Sequence, residues 1–351
     1  MMRKITNRII NSNFSLLQAM KKMDEEKVKT LFVFENEIFE GILTIGDIQR
    51  AIIKGYALSE HVNQVLDKNK IYALKTESKD RIIEKMRLLR AEVMPILNDD
   101  GGLIDVWFWG DVFNKSETTF REPINLPVVI MAGGKGTRLK PLTNVLPKPL
   151  IPIGEKTILE TIMDQFEKIG CENFYMSVNY KSNMIRYYLD QLDRTYNVDF
   201  FEETMPLGTI GSVSLLKGKI DTPFFVSNCD IIIEQDFRDV YDYHINNQNE
   251  LTIVTAVKSI RIPYGVIETG EDGLLKGLKE KPETTYSINT GLYILNPNLL
   301  SEIPEGEFFH ITDLINKIMN RGARIGCFPV SDNALRDMGE WPEYLKMIDI
   351  L

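Results

Sequence analysis

The chain has 351 residues, 44% hydrophobic and 26% charged, and its 41 Lys and Arg against 50 Asp and Glu leave a formal net charge of −9. That length is comfortable for two domains. The acidic balance argues against nucleic acid or an anionic membrane surface as the main partner, while a small nucleotide stays possible because site charges are local.

The N-terminal stretch has neither a signal-type apolar run nor a spanning one, and Cys171, Cys229 and Cys327 are an odd set without paired spacing. Reduced thiols and a cytoplasmic location are the expectation. His61, His244 and His310 are isolated and do not form a metal-ligand pattern.

Residues 29–47 and 93–111 superpose without a gap at an offset of 64. Each copy is an apolar strand, an acidic or Gly-containing turn, and a second apolar strand ending in Gly-Asp. A helical segment precedes each copy, at 15–26 and 78–92. In the second, Ile82, Ile83, Met86, Leu88 and Leu89 supply an apolar face. The polar, proline-containing stretch 114–127 reads as an interdomain linker, with domains over 1–121 and 122–351.

The apolar run 126–130 reads as a buried parallel strand. It leads into Met131-Ala132-Gly133-Gly134-Lys135-Gly136-Thr137-Arg138-Leu139-Lys140-Pro141-Leu142-Thr143, and Leu146-Pro147-Lys148-Pro149-Leu150 follows at once. Three glycines in four positions let backbone amides approach an anion, and Lys135, Arg138 and Lys148 add positive charge. A P-loop is excluded, because Arg138 stands five positions after Gly133 and no Gly-Lys-Ser/Thr follows. A dinucleotide fingerprint fails at Leu139. Downstream, an amphipathic helix over 157–170, a strand over 174–178, a helix over 183–192 and a strand over 223–227 predict an α/β fold with a doubly wound, mostly parallel, Rossmann-like sheet.

The glycine-rich string with its trailing Pro-Lys-Pro-Leu resembles the signature of the sugar-1-phosphate nucleotidyltransferases. The repeat resembles a CBS-domain pair, giving an N-terminal α+β module. The combination is most similar to the CBS-bearing glucosamine-1-phosphate guanylyltransferases of legionaminic acid synthesis. This resemblance implies a Mg²⁺-dependent transfer from GTP to a sugar 1-phosphate. Arg138, Lys148 and Asp230 would be catalytic, with Asp230 and Asp337 on the metal. Ala132, Gly133, Gly134, Gly136, Thr137, Asn179, Glu203 and Gly208 would meet the nucleotide, and Gly265, Glu280, Lys281 and Asn289 the sugar phosphate. Cys229, within Asn228-Cys229-Asp230, reads as packing rather than as a nucleophile.

In the CBS family a Gly-x-x-Thr-x-x-Asp motif holds an adenosine. The first copy keeps it as Gly41, Thr44 and Asp47, whereas the second has Asp105, Phe108 and Asp111. One adenine nucleotide, through Thr44 and Asp47, is implied, with a pure packing or dimerisation module as the alternative. A homodimer or higher oligomer is expected. Rival readings are a mannose- or heptose-1-phosphate guanylyltransferase, a glucose-1-phosphate thymidylyl- or cytidylyltransferase, and a catalytically silent regulatory subunit.

Overall fold

The computed structural model describes residues 5–67, 71–89, 91–112, 123–203 and 205–350. The chain divides into two compact units, Met1–Arg121 and Glu122–Leu351. No described helix is long and apolar enough to cross a membrane.

The first unit contains β1 (Ile9–Asn11), α1 (Leu16–Glu25), β2 (Thr30–Glu35), β3 (Ile38–Thr44) and α2 (Ile45–Ile53). Its second half repeats the order as β4 (Ala73–Leu74), α3 (Lys79–Leu89), β5 (Val93–Leu97), β6 (Leu103–Phe108) and α4 (Trp109–Val112). In each half a short strand runs parallel to one arm of an antiparallel hairpin. The 64-residue offset therefore also carries Ile9 at the start of β1 onto Ala73 at the start of β4. These two strands span three and two residues, too few to leave a period in the sequence. Ile5, Phe32 and Ile42 of the first copy share a core with Val93 and Val106 of the second, so neither copy buries its sheet alone.

The helical face predicted for 78–92 needs correction. Ile82 and Met86 are buried, but Leu88 and Leu89 are exposed. At about 100° per residue, Leu88 lies some 240° from Ile82, away from the stripe. The linker needs correction too. Residues 113–122 lie outside the described set, but Ile124 and Leu126 are buried in the core of the second unit. Ile124 N–H donates to the Ile169 carbonyl at 2.7 Å, so 123–127 is packed chain.

The second unit opens with β7 (Val128–Met131), α5 (Leu142–Val145), the small hairpin β8 (Pro152–Ile153) and β9 (Lys156–Thr157), then α6 (Ile158–Glu167) and β10 (Asn173–Val178). Next come α7 (Ser182–Asp190), β11 (Asn197–Glu202), β12 (Phe224–Asn228), β13 (Ile231–Ile233), α8 (Phe237–Asn246) and β14 (Leu251–Arg261). It ends with β15 (Val266–Thr269), β16 (Leu275–Lys279), β17 (Glu283–Leu295), α9 (Ile311–Asn320), β18 (Ile325–Ser331), β19 (Leu335–Asp337) and α10 (Trp341–Ile350). α6 starts on a Thr157–Glu160 capping box, which satisfies two orphan amides reciprocally.

Seven strands form one sheet in the order β11-β10-β7-β12-β17-β14-β18. All neighbours are parallel except β17, which runs antiparallel to β12 and β14. The pleat sends Val128 and Ile130 of β7 to one face and Val129 to the other. The first face packs on α6, α7 and α8, with Phe166 in ring contact with Phe174, Phe225 and Phe237. The second packs on α9 and the 3-10 segments Gly211–Leu216 and Pro297–Glu302. This is the doubly wound, mostly parallel arrangement expected.

Gly170, after α6, has φ +95°, and a Cβ there would overlap Pro123, with the Pro123 Cα at 2.8 Å. Gly218 has φ +76° but open space around it. Left-handed strain costs about 1–2 kcal/mol in both cases, and the Pro123 clash adds only at Gly170. Gly170→Ala is therefore expected to lower the melting temperature by several degrees more than Gly218→Ala. Equal shifts in thermal melting would show that 123–127 is not docked as described.

Candidate active site

Four parallel strands deliver their carboxyl ends side by side, where open α/β sheets bind ligands. β7 ends in the glycine loop, β10 in Asn179, β11 in Glu203, and β12 in Asn228-Cys229-Asp230. Registers Met131↔Ser177 and Met131↔Asn228 set these ends level.

The loop is braced from below. Ala132 N–H donates to the Ser177 carbonyl at 2.9 Å, extending the ladder one residue. A Cβ on Gly133 would lie 3.4 Å from both the Asn179 Cβ and the Glu203 Oε1, and Gly134 has open space. Gly136 has φ +61°, and a Cβ there would come within 2.9 Å of Thr143 and 3.0 Å of Lys148. The Thr143 hydroxyl donates to the Gly136 carbonyl at 2.9 Å. The Lys181 ammonium donates to the carbonyls of Asn144 and Val145 at 2.7 and 2.6 Å. Thr137 and Arg138 follow on an exposed 3-10 turn.

Lys148 lies between Pro147 and Pro149 in a second 3-10 turn, Lys148–Leu150. Its side chain is buried and paired with the Asp230 carboxylate, itself buried. Both polar groups are withdrawn from solvent. β13 leaves Asp230 and pairs antiparallel with β19, placing Ile231 opposite Asp337. The Met338 amide donates to the Asp230 carbonyl at 2.8 Å. A Cβ on Gly339 would stand 2.6 Å from Lys148 Nζ and 2.8 Å from oxygens of both Asp230 and Asp337. Only glycine leaves that point free, and the two carboxylate oxygens are within twice that distance of each other.

Arg138 donates to Glu340 at 2.5 Å. Its guanidinium is pushed further above its ordinary pKa by that bond, with the charges of Asp337, Glu340 and Asp230 adding to it. The Trp341 indole donates to the Lys140 carbonyl at 3.2 Å, tying α10 to the same loop. Burial raises the Cys229 thiol to about 12, so it is a neutral packing group at physiological pH. His244 is structural, its ring nitrogens bonded to Thr252 and Asn296.

Glu203 is buried. Its carboxylate accepts from the Ser177 hydroxyl at 2.8 Å and from the Leu207 amide at 3.3 Å. The Asn179 amide donates to the Glu203 carbonyl at 2.8 Å. Gly208 has φ +83°, and a Cβ there would fall 2.5 Å from the Phe309 carbonyl oxygen, so this glycine is already required by packing.

On the β14–β17 side, a Cβ on Gly265 would be 3.0 Å from the Glu280 carboxylate, and Lys281 lies 4.0 Å from that carboxylate. Asn289 accepts from the Gly291 amide at 3.0 Å, and Gly291 is packed against Asn228. Among the described residues no hydrogen bond or ion pair joins Gly265, Glu280 or Lys281 to Lys148, Asp230 or Asp337. In the first unit Thr44 and Asp47 form the capping box of α2, with Asp47 also paired to Arg50. Asp105 accepts from its neighbours Val106 and Trp107, and the Asp111 side chain lies outside the described set.

Ser177 and Lys181 carry no motif of their own and were missed, and Thr143 was visible only as the last residue of the glycine-rich string. Gly339 was visible only as the glycine two residues after Asp337, and the role of Glu340 left no local signal. Among the described residues no group of three or more His, Cys, Asp or Glu could hold a metal. Two convergent carboxylates still fit Mg²⁺, which keeps several waters and takes substrate phosphates as its other ligands.

A nucleotidyl transferase family model matches residues 127–351, and a CBS domain model matches residues 1–54. The chain is 37% identical over 182 residues to a mannose-1-phosphate guanylyltransferase catalytic subunit beta from Drosophila pseudoobscura pseudoobscura, covering 50% of this chain and 49% of that protein. It is 36% identical over 187 residues to a mannose-1-phosphate guanyltransferase of Schizosaccharomyces pombe, covering 51% and 52%. The chain thus spans about half the length of these relatives. Among solved structures, HddC from Yersinia pseudotuberculosis is 26% identical with a TM-score of 0.51, covering 64% of this chain and 99% of that one. A second HddC structure, complexed with GMP-PN, gives a TM-score of 0.50 at the same identity and coverage.

Lys148→Ala leaves the Asp230 carboxylate buried without its cation, which typically costs about 3–5 kcal/mol. Metal-free Lys148→Ala is expected to melt well below the parent, and added Mg²⁺ to recover part of the loss. Gly339→Ala is expected to weaken Mg²⁺ binding in calorimetry and to lower kcat/KM by about 10² or more. Unchanged Mg²⁺ binding in Gly339→Ala would show that the metal does not sit between these carboxylates.

Proposed function

Since the chain belongs to the nucleotidyl transferase family, we propose that it transfers a guanylyl group from GTP to a hexose 1-phosphate, giving a GDP-sugar and pyrophosphate. The observation that carries this reading is the convergence of Lys148, Asp230 and Asp337 around Gly339, beside a glycine loop held open at the sheet edge.

Joining two polyanions asks the protein mainly for positioning and charge neutralisation. The loop amides with Arg138 and Lys148 take the triphosphate. A phosphate oxygen of the sugar attacks the α-phosphorus, the bond to pyrophosphate breaks, and the displaced negative charge stays within reach of the two cations. Mg²⁺ held by Asp230 and Asp337 would supply further neutralisation of phosphate charge. The preorganised Lys148 and the braced loop cost no rearrangement when charge moves. Arg138 must exchange Glu340 for phosphate.

Guanine is supported by the names of the relatives, by the GMP-PN complex of HddC, and by Glu203. Guanine presents two adjacent donors, and a carboxylate with lone pairs beyond those used by Ser177 and Leu207 accepts both. The motif resemblance favours glucosamine 1-phosphate, for legionaminic acid-type surface sugars, whereas the relatives favour mannose 1-phosphate. A silent subunit is disfavoured because Arg138, Lys148, Asp230 and Asp337 are all present and brought together.

Pyrophosphate release, with four nucleoside triphosphates crossed against a panel of hexose 1-phosphates, tests the reading. GTP is expected to turn over fastest, with glucosamine 1-phosphate the best acceptor and mannose 1-phosphate next. Equal or better turnover with UTP, CTP or dTTP removes the guanylyl assignment and leaves the reaction class.

The CBS match supports one adenine nucleotide at Thr44 and Asp47. The phosphate would meet the α2 N-terminus and the ribose Asp47. Titration of the full chain with AMP, ADP and ATP is expected to give one site per chain, weakened in Asp47→Asn. No heat at millimolar nucleotide would leave the capping box as the whole role of this pair.

A further inference from the structure

The two motif cations of the triphosphate site are paired in unlike ways. Lys148 and Asp230 are both buried, whereas Arg138 and Glu340 keep 56% and 47% of their side chains exposed. A buried pair is fixed by its surroundings, while a pair half in water is weakly held and readily exchanged. The partner of Arg138 also comes from far along the chain, 202 positions on.

Glu340 is held in place from its own side. Its carbonyl accepts from the Tyr344 amide at 3.0 Å, in the first turn of α10. The next residue, Trp341, donates its indole to the Lys140 carbonyl at 3.2 Å. The Tyr344 hydroxyl donates to the Pro152 carbonyl at 3.2 Å, and its ring lies against Trp341. A carboxylate ahead of a helix is ordinarily explained by the free amides of that helix. Among the described residues, however, the Glu340 carboxylate bonds to Arg138 alone. Helix capping does not account for it.

The charges around Gly339 decide what the pair does. Asp230, Asp337 and Glu340 stand with Lys148 and Arg138, and the field of all three carboxylates reaches the Arg138 guanidinium. Lys135 is exposed on the loop and, among the described residues, pairs with none of them. A free triphosphate therefore meets three carboxylates with both motif cations engaged. A triphosphate that arrives with a divalent cation brings Asp230 and Asp337 their counter-charge. Its phosphate oxygens then offer Arg138 a bidentate partner in place of Glu340. Glu340 attracts the cation and repels the phosphates.

We propose that Glu340 is a specificity-determining residue of this site. It holds Arg138 while the site is empty. With Asp230 and Asp337, it makes the site select a nucleoside triphosphate complexed with a divalent cation over the free anion. This deepens the function proposed above and rests on a triphosphate binding at the glycine loop.

Calorimetry of the full chain tests it with GTP and with inorganic pyrophosphate, each in EDTA and in excess MgCl₂, without sugar phosphate. In Glu340→Gln the affinity for GTP in EDTA is expected to rise about tenfold, and that in MgCl₂ about twofold or less. The preference for the complexed form then falls about fivefold. The gain in EDTA should shrink as KCl is raised, because half-exposed charges are screened. Glu340→Asp keeps the charge and should hold a preference closer to the parent's than Glu340→Gln does. A merely structural residue ahead of α10 would lower the melting temperature in both variants and leave the ratio of the two affinities where it was. That unchanged ratio overturns the proposal.

Pyrophosphate keeps the two readings apart. A parent that ignores GTP but shows the Glu340-dependent preference with pyrophosphate would remove the guanylyl reading and leave Glu340 its role. A parent that turns GTP over, with a preference that survives Glu340→Gln, would keep the reaction and remove the role. A parent that binds neither probe overturns both.

Discussion

The ion pair between Lys148 and Asp230 is the constraint on which the catalytic unit depends. Both side chains are withdrawn from water, and an isolated buried pair contributes little to net stability once desolvation is counted. Such a pair persists where a ligand brings compensating charge. It is also expensive in backbone. It needs a 3-10 turn after the glycine loop, the carboxyl end of β12, and a β13–β19 ladder closing from near the C-terminus. Gly339 follows from the same demand, because any side chain there would stand among three charged groups.

The two halves of the substrate site are held by different means. The nucleotide half is rigid by cross-bracing. Thr143 grips Gly136, Lys181 and Tyr180 grip the carbonyls of α5, and Ser177 orients Glu203. Lys181 and Tyr180 tie the stretch after β7 to the end of β10, Ser177 ties β10 to Glu203 beyond β11, and Thr143 closes the loop on itself, so these groups are held in place before any ligand arrives. Gly265, Glu280 and Lys281, expected on the sugar phosphate, stand by contrast on exposed turns beside β15, β16 and β17, outside the hydrophobic core of the sheet.

What the sequence disclosed follows the range of the interactions. The glycine loop, the amphipathic α6 and the strands that end in Asn179 and Asn228 are local patterns, and they stand where their residues indicated. The β1 and β4 strands were hidden because two or three residues carry no period. Leu88 misled because its angle around the helix takes it off the stripe, whereas Leu89 returns to within about 20° of Ile82 but is exposed as the last residue of α3. The packed stretch 123–127 looked like linker because its prolines were visible and its contacts with Ile169 and Gly170 were not. Lys181, Ser177 and the roles of Gly339 and Glu340 depend on pairings across more than 20 residues, for which one chain offers no local signal.

Thr44 and Asp47 show how one pattern can serve two purposes. Thr-x-x-Asp at a strand end satisfies the first orphan amides of a helix, and in this unit it does so in full. Thr44 accepts from the Asp47 amide, and the Asp47 carboxylate takes the Thr44 amide and hydroxyl at 2.7 Å each. A motif read for a ribose is thus already explained by helix initiation, a role worth about 1 kcal/mol wherever it occurs. An adenosine would have to share the carboxylate with the cap and with Arg50, or displace one of them. The motif in the first copy is therefore weaker grounds for a ligand than the convergence of Asp230, paired with Lys148, and Asp337, which accepts from the Gly339 amide at 2.8 Å, on one point beside Gly339.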